Sequence, residues 1–325
     1  MEIAVTCNPA AGGLSLRLSV TDRCQLRCRY CMPPEGVTLR SKDEILSYEE
    51  IVALVKCLKH EFGLTKVRIT GGEPLVRPEI ERLDGMLADL NIPDLALTTN
   101  GLRLTEMAPL LKRSGLRRVN VSLDSLSPAT FHSLTGGGEL QAVLDGIDAA
   151  LAAGLLPLKL NTVLIRGING HEARKFVEFG LRKNCELRFI ELMPIGPGAR
   201  LFSGGFVSSA DLRQELSSHF TFHALDAEPG AAARRYGVIN AEGGRGVVGF
   251  ISSCSAPFCR ECARLRVTAD GRLIGCLARK DGIAVRELLR TGDTASICNV
   301  VRQVLEGKTP ERVFEQEMAM ASIGG

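Results

Sequence analysis

This sequence predicts an α/β fold: six successive β/α units with parallel strands and helical crossovers, followed by a smaller glycine-rich unit. Three observations carry that prediction. Short β-type runs alternate with helical patterns from Leu14 to Met193, start and stop signals punctuate the helices, and several strands are polar on one side only. The first unit is LSLRLSV followed by SYEEIVALVKCLKHEF, where Ser47 with Glu50 three residues later is a capping-box signature. Gly63 stops that helix where a C-terminal glycine belongs. VRIT leads to PEIERLDGMLADL, LALTT to TEMAPLLKRSG with Gly115 as its stop, and RVNVSL to ELQAVLDGIDAALAAG with Gly154 as its stop. LPLKLNTVLI and HEARKFVEFGLRK form the fifth pair, and ELRFIELM opens the sixth. Past Met193 the chain turns rich in glycine and arginine, with short strands around Arg235 to Ile239 and Gly246 to Ile251 and helical patterns after Val285.

Alternation alone allows a doubly wound sheet or a full or partial barrel. Side-chain parity favours a barrel with a polar lumen. Ser15, Arg17 and Ser19 share one face of the first strand, as do Lys66, Arg68 and Thr70 in the second, Asn120, Ser122 and Asp124 in the fourth, and Lys159 and Asn161 in the fifth. The opposite faces carry Leu16 and Leu18, Val67 and Ile69, Val119 and Val121, and Leu158 and Leu160, which suits helices packed outside. An ordinary barrel fills its interior with branched apolar residues. A lumen lined by Arg17, Lys66, Arg68, Lys159 and Arg188 instead describes a cavity for a polyanion such as a triphosphate. Set against this is the plainer reading that such charges pair with nearby carboxylates.

The chain has 325 residues, 45% of them hydrophobic, enough for one large core and a smaller appended unit. Its 40 basic and 37 acidic residues give a net charge of +3, too balanced for a nucleic-acid surface. No stretch reads as a leader or a membrane span. Eleven cysteines, an odd number, fit reduced metal-binding thiols better than a disulfide framework, so a cytoplasmic location is expected.

The cysteines fall into two triplets: Cys24, Cys28 and Cys31 in RCQLRCRYC, and Cys259, Cys262 and Cys276 in FCRECARLRVTADGRLIGC. Each offers three thiolates where a four-iron cluster has four irons, so each would leave one iron open to a ligand that is not protein. Zinc is the competing reading, and it suits the second triplet better, because CxxC with a distant cysteine and a fourth ligand is common in zinc ribbons. For the first triplet the nearest histidine is His60.

CxxxCxxC with Tyr30 before the last cysteine resembles the signature of the radical S-adenosylmethionine (SAM) superfamily, and Gly71, Gly72, Glu73 and Pro74 resemble its GGEP element. The first triplet inside SVTDRCxxRCRYCMP, the FCxxCxRxRxTxDG segment followed by CL, and a terminal Gly-Gly together resemble the GTP 3',8-cyclase family of molybdenum cofactor biosynthesis over essentially the whole chain. The resemblance implies a partial (β/α)6 radical SAM barrel over 1–193 and a C-terminal domain over 194–325 that binds a second iron-sulfur cluster and substrate. It implies two [4Fe-4S] clusters, held by Cys24, Cys28 and Cys31 and by Cys259, Cys262 and Cys276, with SAM among Tyr30, Gly72, Ser122 and Met193. It places GTP on Arg17, Lys66, Arg68, Thr99, Lys159, Arg188, Arg264, Leu265 and Arg266, its guanine on the open iron of the second cluster. The implied reaction removes hydrogen from C3' of GTP with a deoxyadenosyl radical, joins C3' to C8, and yields (8S)-3',8-cyclo-7,8-dihydroguanosine 5'-triphosphate. Arg17 would act as a proton or hydrogen-bond donor to the substrate radical. A flavodoxin- or ferredoxin-like one-electron donor and a downstream pyranopterin-forming enzyme are the implied partners, with no nucleic acid or membrane, and the chain a monomer or homodimer. A radical SAM peptide-modifying enzyme and a non-catalytic zinc-ribbon protein are the alternatives.

Two departures from that family stand out. Ala263 replaces a common Asn, and Cys254 lies five residues before Cys259, where the expectation is a loop thiol and not a cluster ligand. Cys7, Cys57, Cys185 and Cys298 lack motif context and are expected to be structural. The five histidines share no spacing, and Asp124 and Asp270 suit turns or caps better than general-base catalysis, which hydrogen-atom abstraction does not need.

Overall fold

The structure is a computed structural model that describes residues 13–227, 230–309 and 313–324. The first six strands are β1 (Leu14–Ser19), β2 (Leu64–Thr70), β3 (Asp94–Thr99), β4 (Arg118–Ser122), β5 (Lys159–Leu164) and β6 (Glu186–Glu191). Between them run α1 (Tyr48–Phe62), α2 (Ile80–Ala88), α3 (Leu104–Arg113), α4 (Pro128–Thr135), α5 (Leu140–Ala152) and α6 (Ala173–Lys183). All five neighbouring pairs from β1 to β6 are parallel, as helical crossovers require.

Local signals set the helix ends where the sequence places them. The Glu50 amide donates to Ser47 Oγ and the Ser47 amide to Glu50 Oε2, closing the capping box at the start of α1. Gly63 ends that helix in the left-handed region at φ 61°. The apolar strand faces behave as expected too: Leu16, Leu18, Val67, Ile69, Val119, Val121 and Leu160 have no exposed surface and Leu158 has 1%. They pack under Ile51, Leu54 and Val55 of α1, Leu83 and Leu87 of α2 and their counterparts around the ring. Each such side chain contributes about 1.5–3 kcal/mol, and truncating one to alanine costs about 2–5 kcal/mol.

The last third of the chain extends the same sheet at both edges. Helices α7 (Gly198–Gly205) and α8 (Ser209–Leu216) precede β7 (Phe220–Ala224), β8 (Arg234–Asn240) and β9 (Arg245–Ile251). Strand β9 pairs parallel to β6, and β8 and β7 follow antiparallel. Then β10 (Arg264–Val267) adds parallel to the far side of β1, with β11 (Arg272–Ile274) and β12 (Ile283–Ala284) beyond it. The order is β12-β11-β10-β1-β2-β3-β4-β5-β6-β9-β8-β7, an open, partial barrel whose two edges are covered by C-terminal strands. Helices α9 (Arg286–Thr291), α10 (Thr294–Glu306) and α11 (Met320–Ile323) complete the chain. No helix among the described residues is long and apolar enough to cross a membrane.

Candidate active site

Strand register stacks the lumen side chains in layers. Arg266 of β10, Arg17 of β1 and Arg68 of β2 lie side by side, as do Ser122, Asn161 and Arg188 of β4, β5 and β6. All six line one cavity, together with Thr98, Asn120, Asp124, Arg264 and Met193, which encloses about 1410 Å³ including its open mouth. Tyr30, from the loop of the first triplet, and Cys262 and Cys276, from the second, face the same space.

The cavity is cationic by construction. Burial, reinforced by Arg266, Arg264 and Arg188, pushes the Arg17 guanidinium well below its usual pKa. Among the described residues Arg17 has no hydrogen-bond or ion-pair partner, whereas its neighbours are partly neutralised. Asp94 takes Arg118 at 2.7 Å and Arg68 at 3.8 Å, and Glu186 takes Arg188 at 2.6 Å, Lys159 at 3.2 Å and Arg235 at 3.4 Å. Burial and Arg188 still lower Lys159 to about 8. The plainer reading of paired charges thus holds for Lys159 and fails for Arg17. Gathering like charges in a low-dielectric pocket is costly, and a bound polyanion removes that cost.

The first triplet sits on a loop that is pinned from several sides. The Gly72 amide donates to Thr21 O at 2.7 Å and the Glu73 amide to Arg23 O at 2.8 Å. A Cβ on Gly72 would lie 2.5 Å from Arg23 O, so glycine is required by the approach of the two loops. Glu73, almost fully buried, is raised to about 7 by burial while accepting from Leu75 N, Thr99 Oγ1 and Asn100 N. Tyr30 donates to Asp124 Oδ2 at 2.7 Å, and Val163 N donates to Oδ1 of the same carboxylate. Burial pushes Cys24 up to about 11 and Cys31 up to about 12, and raises Cys28 as well. These thiols repel one another as anions, and soft thiolates of this kind are relieved by iron. Among the described residues Asn161 Oδ1, buried at the wall of the cavity, has no hydrogen-bond partner, which suits a donor such as an amino group. The residues fit a thiolate-held cluster with SAM beside it.

At the second triplet Cys262 has the opposite electrostatics. Cys259 and Cys262 bracket a turn in which Cys262 N donates to Cys259 O, and β11 delivers Cys276. Burial raises the Cys262 thiol, but Arg264 and Lys308 outweigh it and hold the thiol below its usual value. Lys308 Nζ reaches Cys262 Sγ at 3.7 Å, Arg264 O at 2.9 Å and Gly275 O at 2.6 Å, tying both cysteine segments together. The Arg264 guanidinium stacks 4.3 Å over Phe258. Three soft thiols beside these cations would suit an iron-sulfur cluster by their chemistry.

The C-terminal tail closes the site. Met320 N donates to Cys31 O at 2.9 Å, Ile323 is 1% exposed, and Arg266 Nη1 donates to Gly324 O at 2.7 Å. Gly324 takes φ 73°, and a Cβ there would meet Ser19 Cβ at 2.9 Å. Gly325 lies outside the described residues.

Of the residues expected at the site, the structure brings Arg17, Arg68, Arg188, Arg264, Arg266, Tyr30, Ser122, Met193, Cys262 and Cys276 to the cavity wall. Lys66 and Lys159 lie one step lower on the same strand faces. Leu265 is fully buried between its two arginines, with its side chain on the opposite face. Thr99 spends its hydroxyl on Glu73 at 2.7 Å, and Thr98 lines the cavity instead. Cys254 donates to Leu192 O at 3.4 Å, and its amide, with those of Ser255 and Ser209, holds Glu191. Burial raises the Glu191 carboxyl, but the Ser255 hydroxyl, which also donates to it, and these amides outweigh burial and keep the group below its usual value. Asp124 anchors Tyr30, and Asp270 accepts from Thr268 in the turn before β11, the structural service expected of both. Cys57 and Cys298 face each other at 3.4 Å between α1 and α10, Cys185 is buried, and Cys7 lies outside the described residues. All five histidines are exposed. Lys308 and Glu191 were not legible as site residues; only tertiary contacts reveal them.

Comparison with known proteins agrees with this geometry. The family model for the radical SAM superfamily matches residues 18–180, and that for Molybdenum Cofactor Synthesis C matches 185–314. A GTP 3',8-cyclase of Petrotoga mobilis is 43% identical over 84% of this chain and 83% of its own length. Those of Peptoclostridium acidaminophilum and Geobacter sulfurreducens are 42% and 40% identical over 95% of this chain, covering 95% and 96% of their own lengths. The crystal structure of Streptococcus suis SuiB bound to S-adenosylmethionine shares the fold, with a TM-score of 0.63 at 15% identity over 89% of this chain and 68% of that one. Sequence motifs, cavity and relatives agree: the chain belongs to the GTP 3',8-cyclase family within the radical SAM superfamily.

Proposed function

We propose that the cationic lumen binds the triphosphate of GTP and presents the nucleoside between the two cysteine triplets. The chain is a radical SAM lyase that converts GTP to (8S)-3',8-cyclo-7,8-dihydroguanosine 5'-triphosphate, the first step of molybdenum cofactor biosynthesis. Its cofactors are SAM and two [4Fe-4S] clusters. The observation that carries the residue assignment is the convergence of Arg17, Arg68, Arg188, Arg264 and Arg266 on one cavity that Cys262, Cys276 and Tyr30 also face.

When bound, these cofactors supply one-electron reduction and hydrogen-atom abstraction. Cys24, Cys28 and Cys31 hold the first cluster, and Cys259, Cys262 and Cys276 the second. Tyr30, fixed by Asp124, orients SAM with Gly72, Ser122, Asn161 and Met193. Arg17, Arg68, Arg188, Arg264 and Arg266 bind the triphosphate, with Lys66 and Lys159 beneath them; charge-assisted contacts of this type position a polyanion strongly. Arg17, desolvated by burial and with no carboxylate paired to it among the described residues, would hold a proton or hydrogen bond toward the reacting ribose and base. Phe314 and Met320 of the C-terminal segment line the lumen and would help exclude water, and Gly324 holds Arg266 in place.

We place the division of labour at residues 1–193 for the SAM barrel and 194–325 for the second cluster and substrate. We also propose a cytoplasmic setting, a flavodoxin- or ferredoxin-like one-electron donor, and a pyranopterin-forming enzyme that takes the product. The test is anaerobic iron and sulfide analysis followed by assay of 5'-deoxyadenosine. About eight irons per chain, and deoxyadenosine release from SAM that depends on GTP, are expected. Zinc in place of iron, or deoxyadenosine release that ignores GTP, would overturn the reading.

A further inference from the structure

A second concavity is lined by the loop that carries the first triplet. Its walls are Arg27, Arg29, Met32, Pro34, Arg200 and Leu201, with Glu317 as the carboxylate at its rim. Glu317 is already taken by Lys280 at 2.8 Å. Arg29 and Arg200 are exposed, and among the described residues their side chains have no hydrogen-bond or ion-pair partner. Arg27 donates to Cys24 O at 2.7 Å and to Leu26 O, and so lies flat along the loop. In a chain of net charge +3, three cations facing one exposed concavity form a local excess. Apolar surface accompanies them: Leu201 lines the concavity, and Met318, 45% exposed, lies between Glu317 and Ala319 of the same wall.

The loop is rigid as well as basic. Arg27 N donates to Thr135 O at 2.8 Å and Arg29 N to Leu134 O at 3.0 Å, which fastens it to the end of α4. Gly36, at φ 84°, closes a turn in which its amide donates to Pro33 O at 2.9 Å. A pre-formed basic and apolar surface of this kind is suited to a protein partner of opposite charge. Its position says what the partner does. Arg27 and Arg29 flank Cys28, and Met32 follows Cys31, each only about 3.8 Å along the chain from a cluster ligand.

We propose that this face docks an acidic one-electron carrier protein, which reduces the first cluster through the loop. The inference rests on the radical SAM reading of the first triplet. One electron leaves the carrier's reduced flavin or iron-sulfur centre, which is oxidised, and enters the cluster, which is reduced; no bond forms or breaks and no proton is required. The lumen and this concavity share no lining residue, so reductant and GTP do not compete for space.

The experiment compares two reductants on the reconstituted enzyme: photoreduced flavodoxin, a small acidic carrier, and dithionite. The Arg29→Glu/Arg200→Glu double variant should slow flavodoxin-driven bleaching of cluster absorption by about ten-fold at low salt, because loss of electrostatic steering acts on association. Dithionite-driven bleaching and iron content should stay at wild-type values. The wild-type rate with flavodoxin should fall with added salt, and that of the variant should not. The milder Arg29→Gln/Arg200→Gln pair should give an intermediate slowing. Equal rates in variant and wild type with flavodoxin, or equal slowing with both reductants, would overturn the proposal. A wild-type chain that binds no iron would instead overturn the radical SAM reading itself.

Discussion

Replacing Lys308 by Met tests how the second triplet is assembled. The substitution keeps most of the stem and removes three donations, to Cys262 Sγ, Arg264 O and Gly275 O. Two backbone carbonyls in a half-buried setting then lose a charged donor, and hydrogen bonds to charged groups contribute about 1.5–3 kcal/mol each. Partial access to water favours the lower end, so the cost to the metal-free chain is about 2–4 kcal/mol. For a chain of this size that corresponds to a melting temperature lower by about 3–6 °C. The Cys262 thiol also loses one of the three cations, Arg264, Lys308 and Arg266, that hold its pKa down, which weakens its grip on iron. Differential scanning calorimetry of the metal-free chain and anaerobic iron analysis read the two effects separately. Iron should fall from about eight toward about four per chain, with Lys308→Arg recovering part of both losses. A melting temperature within 1 °C of wild type together with full iron content would refute the reasoning.

Four further outcomes are expected. Arg17→Met should weaken GTP binding by about 100-fold, as loss of about 2.8 kcal/mol of a buried charge contact would, while the unliganded chain melts no lower than wild type; isothermal titration and calorimetry check both. Glu73 holds its proton more tightly folded, at about 7 against 4.5, so its share of stability is present in acid and about 3 kcal/mol is lost as pH rises from about 4.5 to 7. Glu73→Gln should flatten that part of the stability-pH curve in urea titrations of the metal-free chain, and an unchanged curve would reject the assignment. Deleting Gly324 and Gly325 should leave about eight irons and sharply lower cyclised product, and retained turnover would reject a role for the tail. Cys254→Ala should keep full iron, because its thiol is directed at Leu192 O; a loss of iron would make Cys254 a ligand.

The six strands and the polarity of their faces were readable because strand parity is a local property. Arg17, Arg68, Ser122, Asn161 and Arg188 follow from period 2 alone. The same rule gave no guidance in LALTT, where two threonines end an apolar run and either could point inward. Register settles it, since Thr98 pairs with Asn120 and both face the lumen. Strands β10 to β12 were hidden because they have four, three and two residues between cysteines and turns, too few for a pattern. Helix α4 was missed as well; Pro128 and three glycines after Thr135 make the stretch look like a loop. Lys308 reads locally as the end of a helix before Thr309. Its role exists only because α10 packs on β11 and brings it against Cys262 and Gly275, while α10 also meets α1 across 241 positions, at Cys57 and Cys298.

That span bears on how the protein is made. Strand β1 finds its second neighbour in β10, about 250 positions later, and β6 waits for β9. During synthesis the barrel half therefore emerges with two bare parallel edges, the surfaces most prone to pair with another chain. Contacts so distant in sequence also close slowly. The nascent chain is thus most exposed to aggregation while its C-terminal third is still being translated, and fragments that stop near Met193 should be insoluble although they hold every strand of the barrel half. Because the second triplet lies beside β10, the strand that seals β1, sealing that edge and completing the second triplet are one event.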